Sequence, residues 1–172
     1  MSEHRDGARR LSPWAGIGIA ACAVGFALFY LGLFRRDNAA PPIDLTGVAP
    51  APAGQFFFHL DHCRVSAHTL VVRGWAVRKG HSWPLTHSQV VLRLADGRAV
   101  GLDTAWLGQQ LALARAIHAR TGDQVVYYAP RFAASLNTSV ARIDPAGARL
   151  LLLWEQGPVR ALLPLDCPAL AR

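Results

Sequence analysis

Gln89 to Asp103 reads QVVLRLADGRAVGLD, and this stretch decides the fold class. Two runs rich in Val and Leu, Gln89–Ala95 and Arg98–Asp103, flank Asp96-Gly97. An Asp-Gly pair between two such runs is the strongest short hairpin signal, because a type I′ turn needs positive φ at both positions. Upstream, Thr69–Arg78 (TLVVRGWAVR) is β-branched and aromatic, as strands prefer, and Gln55–Cys63 has the same character. Downstream, Gln124–Ala129, Phe132–Asn137, Arg149–Glu155 and Val159–Leu165 read as four more strands. The last two form a second hairpin candidate across Gln156-Gly157.

One segment breaks the strand pattern. Ala105–Arg120 lacks proline, is rich in helix formers, and repeats Leu107, Leu111, Ala114 and Ile117 at helical spacing. Thr104 is the expected N-cap and Gly122 the expected stop. The expectation for residues 55–172 is a mainly β domain: an immunoglobulin-like β-sandwich with one inserted helix, preceded in the chain by a single transmembrane helix. A barrel is the alternative that pattern alone does not separate. Trp75, which follows Gly74, and Trp154 are expected in the core, with Trp75 filling the space between the sheets. Trp106 is expected to open the helix.

Trp14–Phe34 reads WAGIGIAACAVGFALFYLGLF, 21 residues without a charge. At about 1.5 Å per residue it spans roughly 31 Å, one hydrocarbon core. Trp14, Phe29 and Tyr30 suit interfacial positions. The chain therefore divides into a cytoplasmic tail (1–13), a transmembrane helix (14–34), a Pro/Ala-rich linker (35–54) read as a spacer, and the β domain (55–172). A short tail before the helix and a large domain after it is the signal-anchor layout, which sets the N-terminus inside. Cleavage at Ala39-Ala40 is the competing reading. The apolar run is long for a signal peptide, and Arg35-Arg36 follows it directly. Ile19-Ala20-Ala21-Cys22 has the form of a lipobox, but the chain stays apolar after Cys22, which favours a cysteine inside a membrane helix.

The formal charge is +7, from 18 Lys plus Arg against 11 Asp plus Glu. Five of the cations (Arg5, Arg9, Arg10, Arg35 and Arg36) flank the apolar helix, where topology and lipid headgroups account for them. The others are scattered singly, so the basic balance does not indicate nucleic-acid binding.

Cys63 ends the first strand and Cys167 follows the last. First and last strands often neighbour each other in a sandwich, so a bond between them is expected, with two unpaired buried thiols as the alternative. Such a bond would mark an oxidising space such as a periplasm. His59, His62 and Cys63 do not make a metal set. Strand alternation puts His59 and Cys63 on one face and His62 on the other, and no standard zinc spacing is present. No nucleophile motif, phosphate-cradling glycine loop or carboxylate pair points to an enzyme, and no cofactor is expected. Asn137-Thr138-Ser139 is a formal glycosylation sequon, given no weight because the anchor and the cysteine pattern read as bacterial. Trp83, in the loop KGHSWP, is the ligand-contact candidate, because sugar and peptide sites often use an aromatic face on a loop.

Thr69–Thr104 resembles the small immunoglobulin-like β-sandwich module associated with bacterial glycosyltransferases and cell-surface polysaccharide proteins. Gly74-Trp75-Ala76 and Asp96-Gly97 carry the resemblance. Arg131–Leu136 stands where a later strand of that module would be, without its glycine, and Gly108-Gln109-Gln110-Leu111 replaces the Arg-x-Asp-Val of its crossing. The resemblance implies an envelope glycan context and carries over no catalytic residue. The expected role is a non-enzymatic accessory or binding module in the bacterial inner membrane, its C-terminal domain periplasmic. Its expected partners are membrane lipid, an envelope protein and a glycan. The alternative is a structural subunit of an inner-membrane complex, of secretion or division type, with the helix as the main contact.

Overall fold

An uncharged apolar run with no interior proline is a natural helix, since it satisfies its own backbone hydrogen bonds. In the computed structural model, which describes residues 13–82, 87–108 and 110–171, that run forms α1, Pro13–Asp37. Proline at a helix start loses no bond, and Arg35 and Arg36 sit in the last turn, where cations offset the helix dipole. Trp14–Asp37 is long and apolar enough to cross a membrane, and contains an 18-residue stretch with a mean hydropathy of 2.2. The chain divides into two compact units between Arg36 and Asp37.

The second unit is built from two antiparallel four-stranded sheets. Sheet 1 has the order β1 (Phe56–Val65), β2 (Thr69–Arg78), β6 (Arg131–Asn137), β5 (Thr104–Leu107). Sheet 2 has the order β4 (Ala99–Leu102), β3 (Gln89–Arg93), β7 (Arg149–Gln156), β8 (Val159–Leu165). Alternate residues of both meet in one core. Leu70, Val72, Ala76, Phe132 and Leu136 come from sheet 1, and Val90, Leu92, Leu152, Trp154 and Leu163 from sheet 2. Trp106 and Phe56 pack edge-on against Trp154 at centroid distances of 5.9 and 5.6 Å.

Glycine matters structurally at Gly74. It faces this core, and a β-carbon there would run into the His59 carbonyl oxygen and come within 2.7 Å of the Phe132 ring. Its missing side chain is what lets the Phe132 ring lie close against β2.

Trp75 is therefore not between the sheets. It has the opposite parity to Val72 and Ala76, so it points away from the core. There it joins Val77, Ile117 and Tyr127 in a second, smaller cluster. The lid over that cluster is α2 (Leu111–Thr121) together with the segment after it. The large ring between the sheets is that of Trp154.

The helix starts later than its composition indicates. Thr104–Leu107 is edge strand β5, because Trp106 gains more by turning into the core, with its indole N–H donating to the Ser88 carbonyl at 2.9 Å. The N-cap is Gln110, not Thr104, while Gly122 does cap the other end, at φ 67°. The buried face runs through Leu113, Ile117 and Thr121, and Leu111 is exposed.

Residues 124–129 form no strand. Their alternation is real, with Tyr127 buried and Val126 and Tyr128 exposed, but they pack on α2 and β2 side chains and pair with no sheet edge. The turn at Asp96-Gly97 also differs in type. Gly97 donates to Leu94 O and Leu94 to Arg98 O, and only Gly97 has positive φ, at 88°. That is a turn with a glycine bulge, which needs one left-handed residue where type I′ needs two.

The largest departure is the stretch read as a spacer. Its residues from Asn38 onward belong to the domain. Gly101 N–H donates to Pro41 O and Ile43 N–H to Ala99 O, both at 2.9 Å, along the free edge of β4. Leu162 N–H donates to Ala49 O and Ala51 N–H to Leu162 O along the free edge of β8. Pro42 and Pro50 fall between the bonding residues, where a missing N–H costs nothing. Between those edges the strap crosses the outer face of sheet 2. Ile43 lies against Gly101 there, and Arg160 donates to the Asp44 carbonyl. On that same face Val91 and Leu153, which point away from the core, are fully buried.

Candidate functional site

Cys63 and Cys167 are bonded, with Cα atoms 5.8 Å apart. β1 would not present Cys63 inward as a regular strand. Phe56, Phe58 and Leu60 face the core, so regular alternation would send Cys63 out. A bulge at Asp61, between Leu60 and His62, inserts one residue and reverses the parity. Cys63 then meets Cys167, just beyond β8, and the bond ties an edge of sheet 1 to an edge of sheet 2. The same bulge separates Cys63 from His59, which stays exposed on the outer face. No group of three metal-ligating side chains occurs among the described residues.

Trp83 lies outside the described residues. The loop residues before it are held at Gly80, whose N–H donates to Asp123, and at Ser82, whose carbonyl accepts from the Tyr128 N–H. Asp123 is the most heavily bonded carboxylate described. It accepts from Tyr127 Oη at 2.6 Å, Thr121 Oγ1 at 3.0 Å, and the Gly80 and Val125 N–H groups. Burial pushes its pKa up, and these four donors outweigh that and hold it below the usual carboxylate range. Burial, reinforced by the bond to Asp123, pushes Tyr127 up to about 12. This cluster fastens the lid over Trp75, and its acid is fully committed.

One open feature among the described residues is a cleft of about 600 Å³ beside the first half of the strap. Three separate parts of the chain frame it: the strap itself, the β3–β4 turn, and the segment after α3 (Thr138–Ala141). Arg93, Arg98 and Arg142 line it, with Ile43 and Ile143 as apolar walls. The lining contains one carboxylate, Asp44, whose side chain closes a local turn by accepting from the Thr46 N–H at 2.8 Å. Hydrogen bonds from Thr46 hold its pKa low. Arg98 is partly neutralised by Asp96, to which its Nε donates at 2.7 Å. Arg93 and Arg142 have no acidic partner among the described residues.

Two backbone positions in this lining are unusual. Ala40 and Arg142 are the only non-glycine residues described with positive φ, at 45° and 55°. Ala40 follows Asn38, whose Oδ1 accepts from the Asn137 N–H at 2.6 Å and so pins the strap beside α3. Arg142 is the C-cap of α3, its N–H donating to Thr138 O. Sequence reasoning missed the cleft because its arginines stand 5 to 49 positions apart, with no local pattern. Only the strap's path brings them to one cavity.

No protein-family model, curated protein or solved structure matches the chain.

Proposed function

We propose that the chain is a membrane-anchored, non-enzymatic binding module of the bacterial cell envelope, with its β domain on the periplasmic side of the inner membrane. The observation that carries this is the Cys63–Cys167 bond in a domain that follows an apolar span in the chain. Disulfides persist in oxidising spaces and are rare in the cytosol. The ionisable groups that the domain gathers hold local structure: Asp123 holds the lid, Asp44 and Asp96 close turns, and Glu155 pairs with Arg160 at 2.7 Å. That distribution favours binding over catalysis.

The domain reads as an immunoglobulin-like sandwich. Lettered in chain order with β4 as an extra edge strand, its sheets run A-B-E-D facing C′-C-F-G, the order of that architecture. Its bond joins strand A to the chain beyond strand G, not B to F as in antibody domains. The similarity of Thr69–Thr104 to modules of surface-polysaccharide proteins supports a role in glycan assembly, with an envelope protein, lipid or glycan as partner.

A reporter active only in the periplasm, fused after Arg172, tests the placement. Activity is expected. An inactive periplasmic fusion beside an active cytoplasmic one would overturn it.

A further inference from the structure

We propose that the cleft beside the strap binds a phosphate group, held by Arg93, Arg98 and Arg142. This goes beyond the envelope reading and does not depend on it. The first support is charge. Three arginines line one cavity; Arg98 is paired with Asp96, Arg93 and Arg142 have no acidic partner among the described residues, and the one carboxylate of the lining is engaged in a turn. Arg93 also lies directly opposite Arg149 across β3 and β7. Like charges facing each other across strands are destabilising, and a bound anion removes that repulsion. Guanidinium groups match phosphate oxygens in a planar, two-point geometry.

The second support is backbone strain. A left-handed φ disfavours an arginine, and a glycine would hold it freely. Both strained positions, Ala40 and Arg142, border this one cavity. At Arg142 the unfavourable backbone directs a cationic side chain to the cleft. Phosphate chemistry has two sources here. The strap begins directly after α1 in the chain, which favours the headgroup of an anionic phospholipid, and a soluble phosphate ester offers the same group.

The test is calorimetric titration of the full chain in an uncharged detergent. The probes are inorganic phosphate, glycerol 3-phosphate and a short-chain phosphatidic acid. The wild type is expected to bind at least one of them. The double substitution Arg93→Gln/Arg142→Gln should weaken binding at least tenfold, about 1.4 kcal/mol, while Arg115→Gln on α2 leaves it unchanged. Binding confined to the lipid assigns the headgroup, and binding of the soluble probes assigns an ester. Arg142→Gly should unfold at a higher temperature than the wild type and yet bind more weakly, which separates lost binding from lost fold. No binding of any probe, equal loss in Arg115→Gln, or unchanged binding in Arg142→Gly would each overturn the proposal.

Discussion

The Arg120 guanidinium lies 5.0 Å over the Trp75 ring, on the face of sheet 1 turned away from the core. The ring is thus the floor of a satellite cluster roofed by α2 and the segment that follows it. Trp75→Ala should cost about 3–5 kcal/mol in urea unfolding, as large-to-small changes at buried aromatics do. Its signature should be local, with amide-exchange protection falling first across residues 111–130. A loss spread evenly over both sheets would refute the satellite assignment.

Trp154 offers the contrast. It is 1% exposed between the sheets, and its indole N–H has no hydrogen-bond partner among the described residues. Trp154→Ala should be at least as damaging as Trp75→Ala. Trp154→Phe should lose less than its volume suggests, because it removes an unsatisfied donor whose burial costs about 1–3 kcal/mol. Thermal unfolding of the three variants side by side ranks them.

Inserting one residue between His62 and Cys63 should prevent the disulfide without changing either cysteine. The insertion leaves the Asp61 bulge in place but shifts the parity once more, turning Cys63 outward, away from Cys167. Thiol-reactive mass tagging should then label both cysteines, and neither in the wild type. The bond encloses a separation of 104 residues, so its loss should cost about 4–5 kcal/mol in the chain-entropy account. An unlabelled insertion variant would show that the parity of β1 does not govern the pairing.

Gly74→Ala introduces a β-carbon that meets the backbone oxygen of His59 and the Phe132 ring. The ring can shift slightly, but the carbonyl belongs to a paired strand. Overpacking of this kind costs about 1–3 kcal/mol. Gly97→Ala is strained for a different reason, its φ of 88°, and should disturb only the β3–β4 turn. Chemical-shift changes that stay local for one variant and reach β1, β2 and β6 for the other would distinguish them.

The Asp123–Tyr127 pair predicts a pH dependence at both ends. Asp123 has a depressed pKa when folded, so its contribution is present above the unfolded value of about 4 and is lost as the pH falls through the folded one. Tyr127 is raised to about 12, so the folded state holds its proton more tightly. Its contribution is complete below the unfolded value of about 10 and disappears between there and about 12. Tyr127→Phe should flatten the alkaline limb of a stability–pH curve and weaken, without abolishing, the acid one. An unchanged alkaline limb would mean that another group sets it.

The strands with two sheet neighbours and strong apolar character, such as β2, β3 and β7, are legible in composition because local preference and tertiary demand agree. Thr104–Leu107 is not, since only the pocket beside Phe132 and Trp154 makes Trp106 prefer a strand. Residues 124–129 mislead for the converse reason: period-2 alternation reports two unlike faces, and here one faces a helix. The pairing of the cysteines follows from their positions at either end of the domain, but the bulge that permits it leaves no mark in FFFHLDHCRV. The cleft is the least legible feature. A proline-rich run reads as a solvated spacer, and nothing local says that its alternate carbonyls will find two sheet edges.

That strap has a consequence for how the chain is made. Its residues leave the ribosome before any of the strands they seal, and Ala49 and Ala51 must wait more than a hundred residues for Leu162. Until β8 is synthesised, the strap has only one of its two moorings, and Cys63 has no Cys167 to meet. A chain interrupted before β8 therefore carries an unpaired edge on β7 and a free thiol on β1, two marks that proteases and thiol oxidoreductases can read. The domain's closure therefore waits on the synthesis of β8 and the residues just beyond it.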